Sequence, residues 1–196
     1  MCGRYVMLSE KEVEDVRDIA REIDRKYGER NMPTGEIFPT NRAPVFVATE
    51  GGYGAELMSW GLPQYKGSGV IINARAETAQ EKRTFKGALL ERRCVIPSTG
   101  FFEWTHEPAK KKEKYLFNLP YTPMLYMAGL FNPVPDEQLP RFAILTTVAN
   151  GSMRDIHDRM PVILRKEEIN DWLLQVSFVN EALFRVPTEL VRERAG

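Results

Sequence analysis

The chain has 196 residues and carries 27 Lys+Arg against 27 Asp+Glu, a formal net charge of zero. That length suits one domain able to bury about 70% of its unfolded surface. Zero net charge excludes a global pull toward nucleic acid, so any such contact needs cations gathered on one face. Hydrophobic content of 43% with 28% charged residues is ordinary for a soluble globular protein. No apolar run approaches the ~20 residues of a membrane span. No basic segment followed by an apolar stretch marks a signal peptide. A cytoplasmic location is therefore expected, with Cys2 and Cys94 as free thiols rather than a disulfide framework.

Cys2 comes first in chain order. Once Met1 is removed it carries an α-amine and a thiol on adjacent carbons, with unperturbed pKa values of roughly 8 and about 8.5. An aldehyde meeting that pair forms an imine, and the thiol then closes a thiazolidine ring. An accidental Met-Cys start in a frayed terminus is the alternative. Tyr5, Val6 and Met7 read as a short strand. Ser9 and Glu12 form an S-x-x-E capping pattern, predicting a helix from Ser9 with Val13, Val16, Ile19, Ala20, Ile23 and Tyr27 on its buried face. Residues 29–43 read as loop. Val45–Val47 and Ala55–Trp60 read as a hairpin around the turn Glu50-Gly51-Gly52. Val70–Ile72 leads into Asn73, and residues 79–92 favour one helix. Strands follow at Arg93–Pro97, Gly100–Trp104, Tyr115–Phe117, Leu125–Phe131 and Phe142–Thr147, then helices at Lys166–Leu174 and Asn180–Phe184. Many short strands without βαβ alternation predict an α+β single domain, 1–196, with a mainly antiparallel, barrel-like sheet flanked by helices.

Four residues could carry chemistry. Glu103 lies in an apolar strand, where alternation puts it on one face with Phe101 and puts Phe102 with Trp104 on the other. A carboxylate held in apolar surroundings suits proton transfer; an outward, solvated Glu is the other reading. Asn73 at a strand end can orient an amine or a carbonyl, or simply cap a turn. His157, flanked by Ile156 and Met160-Pro161, is either a proton-transfer group or a structural histidine; His106 reads as surface. Arg4, Arg42, Arg75, Arg83 and Arg159 could hold phosphates through their planar forks, and Trp60 could stack on a base. Lys110, Lys111, Lys112 and Lys114 read as a solvated turn. The scattered Cys and His have no metal-ligand spacing, and no G-x-S-x-G elbow, P-loop or dinucleotide fingerprint occurs, so neither metal nor cofactor is expected.

Taken in order, several blocks form one pattern: Met1-Cys2-Gly3-Arg4-Tyr5; Phe38-Pro39-Thr40 with Ala43-Pro44-Val45; Trp60-Gly61-Leu62; Asn73-Ala74-Arg75-Ala76-Glu77-Thr78; Arg93-Cys94-Val95-Ile96-Pro97; Gly100-Phe101-Phe102-Glu103-Trp104; Thr146-Thr147 with Ala149-Asn150; and His157-Asp158-Arg159-Met160-Pro161. The pattern resembles the SRAP family, the SOS-response-associated peptidases or abasic-site processing proteins, from the start to about residue 175, with 176–196 left as a C-terminal tail or helix. Phe102 stands where Tyr is common. The resemblance implies a barrel-like α+β domain that captures abasic sites in single-stranded DNA covalently. Cys2 would be the nucleophile and Asn73, Glu103 and His157 its helpers. Arg4, Trp60, Arg75, Arg83, Thr147 and Arg159 would contact the DNA. It also implies an autopeptidase step that exposes the cysteine, a lyase activity, a monomeric protein, and a place on the nucleoid after DNA damage. Two other readings stay open: an N-terminal-nucleophile peptidase acting on itself or other proteins, and a noncatalytic single-strand binding module.

Overall fold

The predicted hairpin is the seed of the architecture. In the computed structural model, which describes residues 2–28, 31–65, 67–105 and 112–195, thirteen strands and three helices precede the last four elements. The elements run β1 (Tyr5–Met7), α1 (Glu14–Tyr27), β2 (Gly35–Ile37), β3 (Arg42–Thr49), β4 (Gly52–Trp60), β5 (Leu62–Pro63), β6 (Val70–Ile71), β7 (Asn73–Arg75), α2 (Ala76–Ala79) and α3 (Arg83–Glu91). They continue β8 (Arg93–Ser98), β9 (Gly100–Trp104), β10 (Lys114–Asn118), β11 (Leu125–Asn132), β12 (Arg141–Val148), β13 (Arg159–Pro161), β14 (Ile163–Leu164), α4 (Ile169–Leu174), α5 (Phe178–Phe184) and β15 (Val191–Arg194).

β3 and β4 pair antiparallel from Arg42↔Ser59 to Thr49↔Gly52. β3 meets β8, β8 meets β11, and β11 meets β12. β12 then runs parallel to β4 through Phe142↔Trp60, which closes a five-strand ring. The expected α+β domain with an antiparallel, barrel-like sheet is therefore what the chain forms. Closure removes free edges from the ring. Its strands are covered on both faces, with side chains such as Val45, Leu57, Trp60, Val95, Ile96, Met127 and Ile144 all buried. Trp60 stacks on Phe142 with ring centroids 6.3 Å apart and lies 5.1 Å from Tyr5.

A second sheet, ordered β15-β10-β9-β1-β2, leans on the ring. The chain passes from one sheet to the other at Thr99-Gly100. Thr99 Oγ1 donates to the Val6 carbonyl and accepts from Leu8 N–H, both at 3.0 Å. Gly100 has φ 153°, and a Cβ there would sit 2.9 Å from Leu116 Cδ1 and 3.0 Å from the Phe117 carbonyl. That close approach requires glycine. Cys2, which precedes β1, meets Asn73 of β7.

Three expectations need correction. The Ser9–Glu12 pair forms, with Glu12 Oε2 accepting from Ser9 N and Oγ at 2.8 and 2.7 Å. It caps an isolated turn, because Val13 then goes extended (ψ 121°) to enter the core, and α1 begins only at Glu14. The stretch 29–43 is not all loop: β2 pairs with β1, and β3 starts at Arg42. The single helix expected over 79–92 is two, because Lys82 is extended (ψ 124°) at the start of α3. Beyond residue 175 the chain holds α5 and then β15, which pairs with β10 from Tyr115↔Arg194 to Asn118↔Val191. His106, Lys110 and Lys111 lie outside the described residues.

Candidate active site around Cys2

Cys2 is fully buried. Its thiol contacts the Arg4 carbonyl at 3.9 Å. Burial pushes that thiol far above its ordinary pKa, and the nearby Glu103 carboxylate pushes it further. The thiol is therefore neutral at neutral pH. Glu103 itself is buried at 5% exposure, on the inward face with Phe101. The inward reading of Glu103 thus wins over the solvated one. Phe102, on the other face, is covered by Lys114, whose Nζ lies 3.8 Å from the ring centroid.

Asn73 arrives from β7, 71 residues along the chain. Its Nδ2 donates to the Cys2 carbonyl at 2.9 Å. Its Oδ1 is buried with no hydrogen-bond partner among the described residues. β7 is held parallel to β12 through Asn73↔Ile144 and Arg75↔Thr146. Residues two apart on a strand share a face, so Arg75 extends the Asn73 side of β7. Arg75 is exposed and has no ion pair among the described residues. It lines a cavity of about 710 Å³ together with Arg154, Ile156, His157 and Arg159. Cys2 and Glu103 are not in that lining. His157 is 7% exposed, and its Nδ1 accepts from the Arg159 N–H at 2.9 Å. The geometry thus ties Asn73 to Cys2 directly, Glu103 to Cys2 through charge, and His157 to Arg75 through a shared cavity.

The expected DNA contacts divide. Trp60 cannot stack on a base: it has no exposed surface, and its indole N–H donates to the Ile72 carbonyl at 3.0 Å. Arg159 is no open phosphate fork either. It is 9% exposed and holds Glu77 through two hydrogen bonds of 2.6 and 2.8 Å. Arg4 is part-exposed, paired with Glu36 at 3.0 Å. Its guanidinium lies between Phe38 (4.3 Å) and Trp104 (5.0 Å). Thr147 is part-exposed on β12, opposite Met160. Arg83 is exposed at the head of α3, which packs on β8 and β11, and nothing links it to Cys2.

Sequence reading passed over the aromatic surface that is open. Phe38 is 40% exposed and Trp104 part-exposed, on either side of Arg4. Phe38 sits in a turn that closes with Asn41 N–H on the Phe38 carbonyl at 3.0 Å. The Phe38-Pro39-Thr40 block was visible; which of the aromatics faced outward was not.

A buried cysteine held by the Asn73 amide, with the Glu103 carboxylate bearing on its thiol, sits on a ring-shaped α+β domain. The chain belongs to the SRAP family, described as SOS response associated peptidase, whose model matches residues 1–190. It is 35% identical over 187 residues to the abasic site processing protein YoqW of Bacillus subtilis, covering 88% of this chain and 80% of that one. It is 28% identical over 179 residues to the abasic site processing protein YedK of Escherichia coli, covering 89% and 80%. A crystal structure of a protein from Bacteroides thetaiotaomicron superimposes with a TM-score of 0.77 at 26% identity, covering 98% of this chain and 91% of that one. No helix among the described residues is long and apolar enough to cross a membrane, and none of their His, Cys, Asp and Glu side chains group to hold a metal.

Proposed function

We propose that this chain processes abasic sites in single-stranded DNA by covalent capture, using the α-amine and thiol of Cys2 once Met1 is removed. The observation that carries this reading is the bond from Asn73 Nδ2 to the Cys2 carbonyl at 2.9 Å, with Asn73 Oδ1 buried and awaiting a donor. An amide so placed grips the Cys2 backbone and offers an acceptor to the α-amine that processing would free. The relatives' names and the family membership support the substrate class.

The chemistry balances as follows. The closed sugar opens when its C1′–O4′ bond breaks. O4′ takes a proton from His157, and the C1′ hydroxyl gives one to Glu103. The Cys2 amine then attacks the C1′ aldehyde, and water leaves to give the imine. The thiol, kept neutral by its burial, adds across the imine and its proton passes to the nitrogen through Glu103, closing the thiazolidine. Arg75 and Arg4 hold flanking phosphates, and Phe38 and Trp104 offer ring faces to the bases. The protein acts as a monomer in the cytoplasm, on damaged DNA, without metal or cofactor.

The test is direct. Wild-type protein incubated with an abasic single-stranded oligonucleotide should give a denaturant-resistant adduct. Its mass should equal protein lacking Met1 plus DNA minus one water. Cys2→Ser should give none. Capture should weaken as pH falls below the amine's pKa of roughly 8, because only the neutral amine attacks. An adduct that survives Cys2→Ser refutes the assignment. Cleavage of peptides without any DNA adduct would favour an N-terminal-nucleophile peptidase instead.

A further inference from the structure

The second sheet carries a charged group that the capture chemistry does not use. Lys114, expected in a solvated turn, opens β10 instead. It pairs with Trp104 of β9 and stretches over Phe102, its Nζ 3.8 Å from the ring centroid. There Nζ donates to Glu36 Oε1 of β2 at 2.6 Å. The other oxygen of the same carboxylate accepts from Arg4 Nη1 at 3.0 Å. One acid thus bridges two bases from separate parts of the chain. The bond from Lys114 holds the Glu36 carboxyl below the usual carboxylate range, and Arg4 adds to that.

The group is open to solvent, with side chains 30% (Arg4), 22% (Lys114) and 35% (Glu36) exposed. Three rings accompany it: Phe38 and Trp104 beside Arg4, and Phe102 beside Lys114. Arg4 also joins it to the nucleophile, because its carbonyl accepts from Phe102 N–H at 2.8 Å and meets the Cys2 thiol at 3.9 Å. Ion pairs this exposed contribute little to stability, so tying β2 to β10 is a weak reason for the arrangement. A carboxylate on a guanidinium and an ammonium makes the contacts that a phosphate oxygen would make. Two cations and one anion leave the group net positive.

We propose that Arg4 and Lys114 form one phosphate subsite, and that in the free protein Glu36 fills it as a stand-in anion that a backbone phosphate of the strand must displace. This rests on the reading of the chain as a binder of single-stranded DNA, and it adds Lys114 and Glu36 to the phosphate contact of Arg4. Bases flanking that phosphate meet Phe38 and Trp104. Glu36 then sets how firmly any strand is held, because its charge repels the phosphate and its oxygens occupy the donors.

The experiment measures binding of an undamaged single-stranded thymidine oligonucleotide to the full-length protein across a salt series. Glu36→Gln should bind several-fold tighter than wild type, and Glu36→Asp, a shorter acid, should fall between them. Adding Lys114→Gln to Glu36→Gln should undo most of the gain. It should also lower the slope of log affinity against log salt by about 0.7, the worth of one phosphate contact on a single strand. Lys114→Arg, which keeps the charge, should restore the slope. A Glu36→Gln protein that binds no tighter than wild type would overturn the proposal, whatever its melting temperature, because Glu36 would then be a tie between strands only. A slope unchanged by the loss of Lys114 would overturn it too. Should Glu36→Gln fail to fold, Lys114→Gln alone decides by the same change in slope. Adduct formation is scored separately on an abasic oligonucleotide: no adduct from wild type ends the capture reading, while the salt series on undamaged DNA still decides the subsite.

Discussion

Cys2 and Cys94 are the same residue at the same burial, with no exposed surface on either, and burial raises both thiols far above their ordinary pKa. Their neighbours differ. Cys94 lies within β8, in the wall of the ring. Its carbonyl takes the Trp172 indole N–H at 2.9 Å, and a Cβ added at Gly129 would come 3.1 Å from its sulfur. Cys2 lies where the second sheet meets β7. Its carbonyl takes the Asn73 amide, and the Glu103 carboxylate bears on its thiol. Burial alone makes a thiol inert. What separates the two is the polar company around one of them, together with the α-amine that only Cys2 can acquire.

The sharpest way to break that comparison is to exchange the two in experiment. Cys94→Ala should cost about 1 kcal/mol of stability for the lost core atom and leave adduct formation intact. Cys2→Ala, which removes an equally buried atom, should cost a similar amount of stability and abolish the adduct. Alkylating reagents should not distinguish them, since both thiols are neutral and shielded at pH 7; only an aldehyde should. An adduct lost in Cys94→Ala, in protein that still melts cooperatively, would show that the company around Cys2 is not the deciding factor.

A second pair of regions repeats the contrast on aromatic side chains. Trp60 is packed inside the ring against Phe142 and Tyr5, whereas Phe38 and Trp104 lie open beside Arg4. Trp60→Ala should cost about 3–5 kcal/mol of stability, read as a large fall in melting temperature. Phe38→Ala should leave the melting temperature within a few degrees and weaken single-stranded DNA binding by about 1–3 kcal/mol, the worth of one stacked base. A Phe38→Ala protein that binds DNA like wild type would remove the stacking surface from the reading.

These pairs show where the sequence was legible. The β3–β4 hairpin, the strands β8, β9, β11 and β12, and the face that Glu103 shares with Phe101 follow from local alternation and turn residues, which act over a few positions; that this face is buried did not. Ring closure through the β12–β4 pairing depends on Phe142 meeting Trp60 across 82 positions, and no local pattern announces it. For the same reason Trp60 was legible as an aromatic but not as an interior one. Arg159 was legible as a cation in a recognisable block, but its partner Glu77 lies in another block, 82 residues earlier. β15 was missed because Val191-Arg192-Glu193-Arg194 is an exposed, charged edge strand with little apolar pattern to read.

The smallest expected effect comes from the turn that presents Phe38. Pro39 and Thr40 occupy its two central positions, and Thr40 has φ 72°. A turn with proline first and a positive φ second is of the kind that favours glycine at the second place, and a β-branched residue there is strained by about 1–3 kcal/mol. The conformation persists because Thr40 N–H donates to the Trp60 carbonyl at 2.8 Å and Asn41 Oδ1 accepts from Phe38 N–H at 2.9 Å. Thr40→Gly removes the strain but adds freedom to the unfolded chain worth about 0.5–1 kcal/mol. The net should be a gain of about 0.5–1 kcal/mol in denaturant unfolding, with DNA affinity changed less than about twofold because both anchoring bonds are backbone-borne or belong to Asn41. A loss of stability instead would mean that the Thr40 side chain itself holds the turn, and that Phe38 owes its outward position to that residue rather than to the two hydrogen bonds.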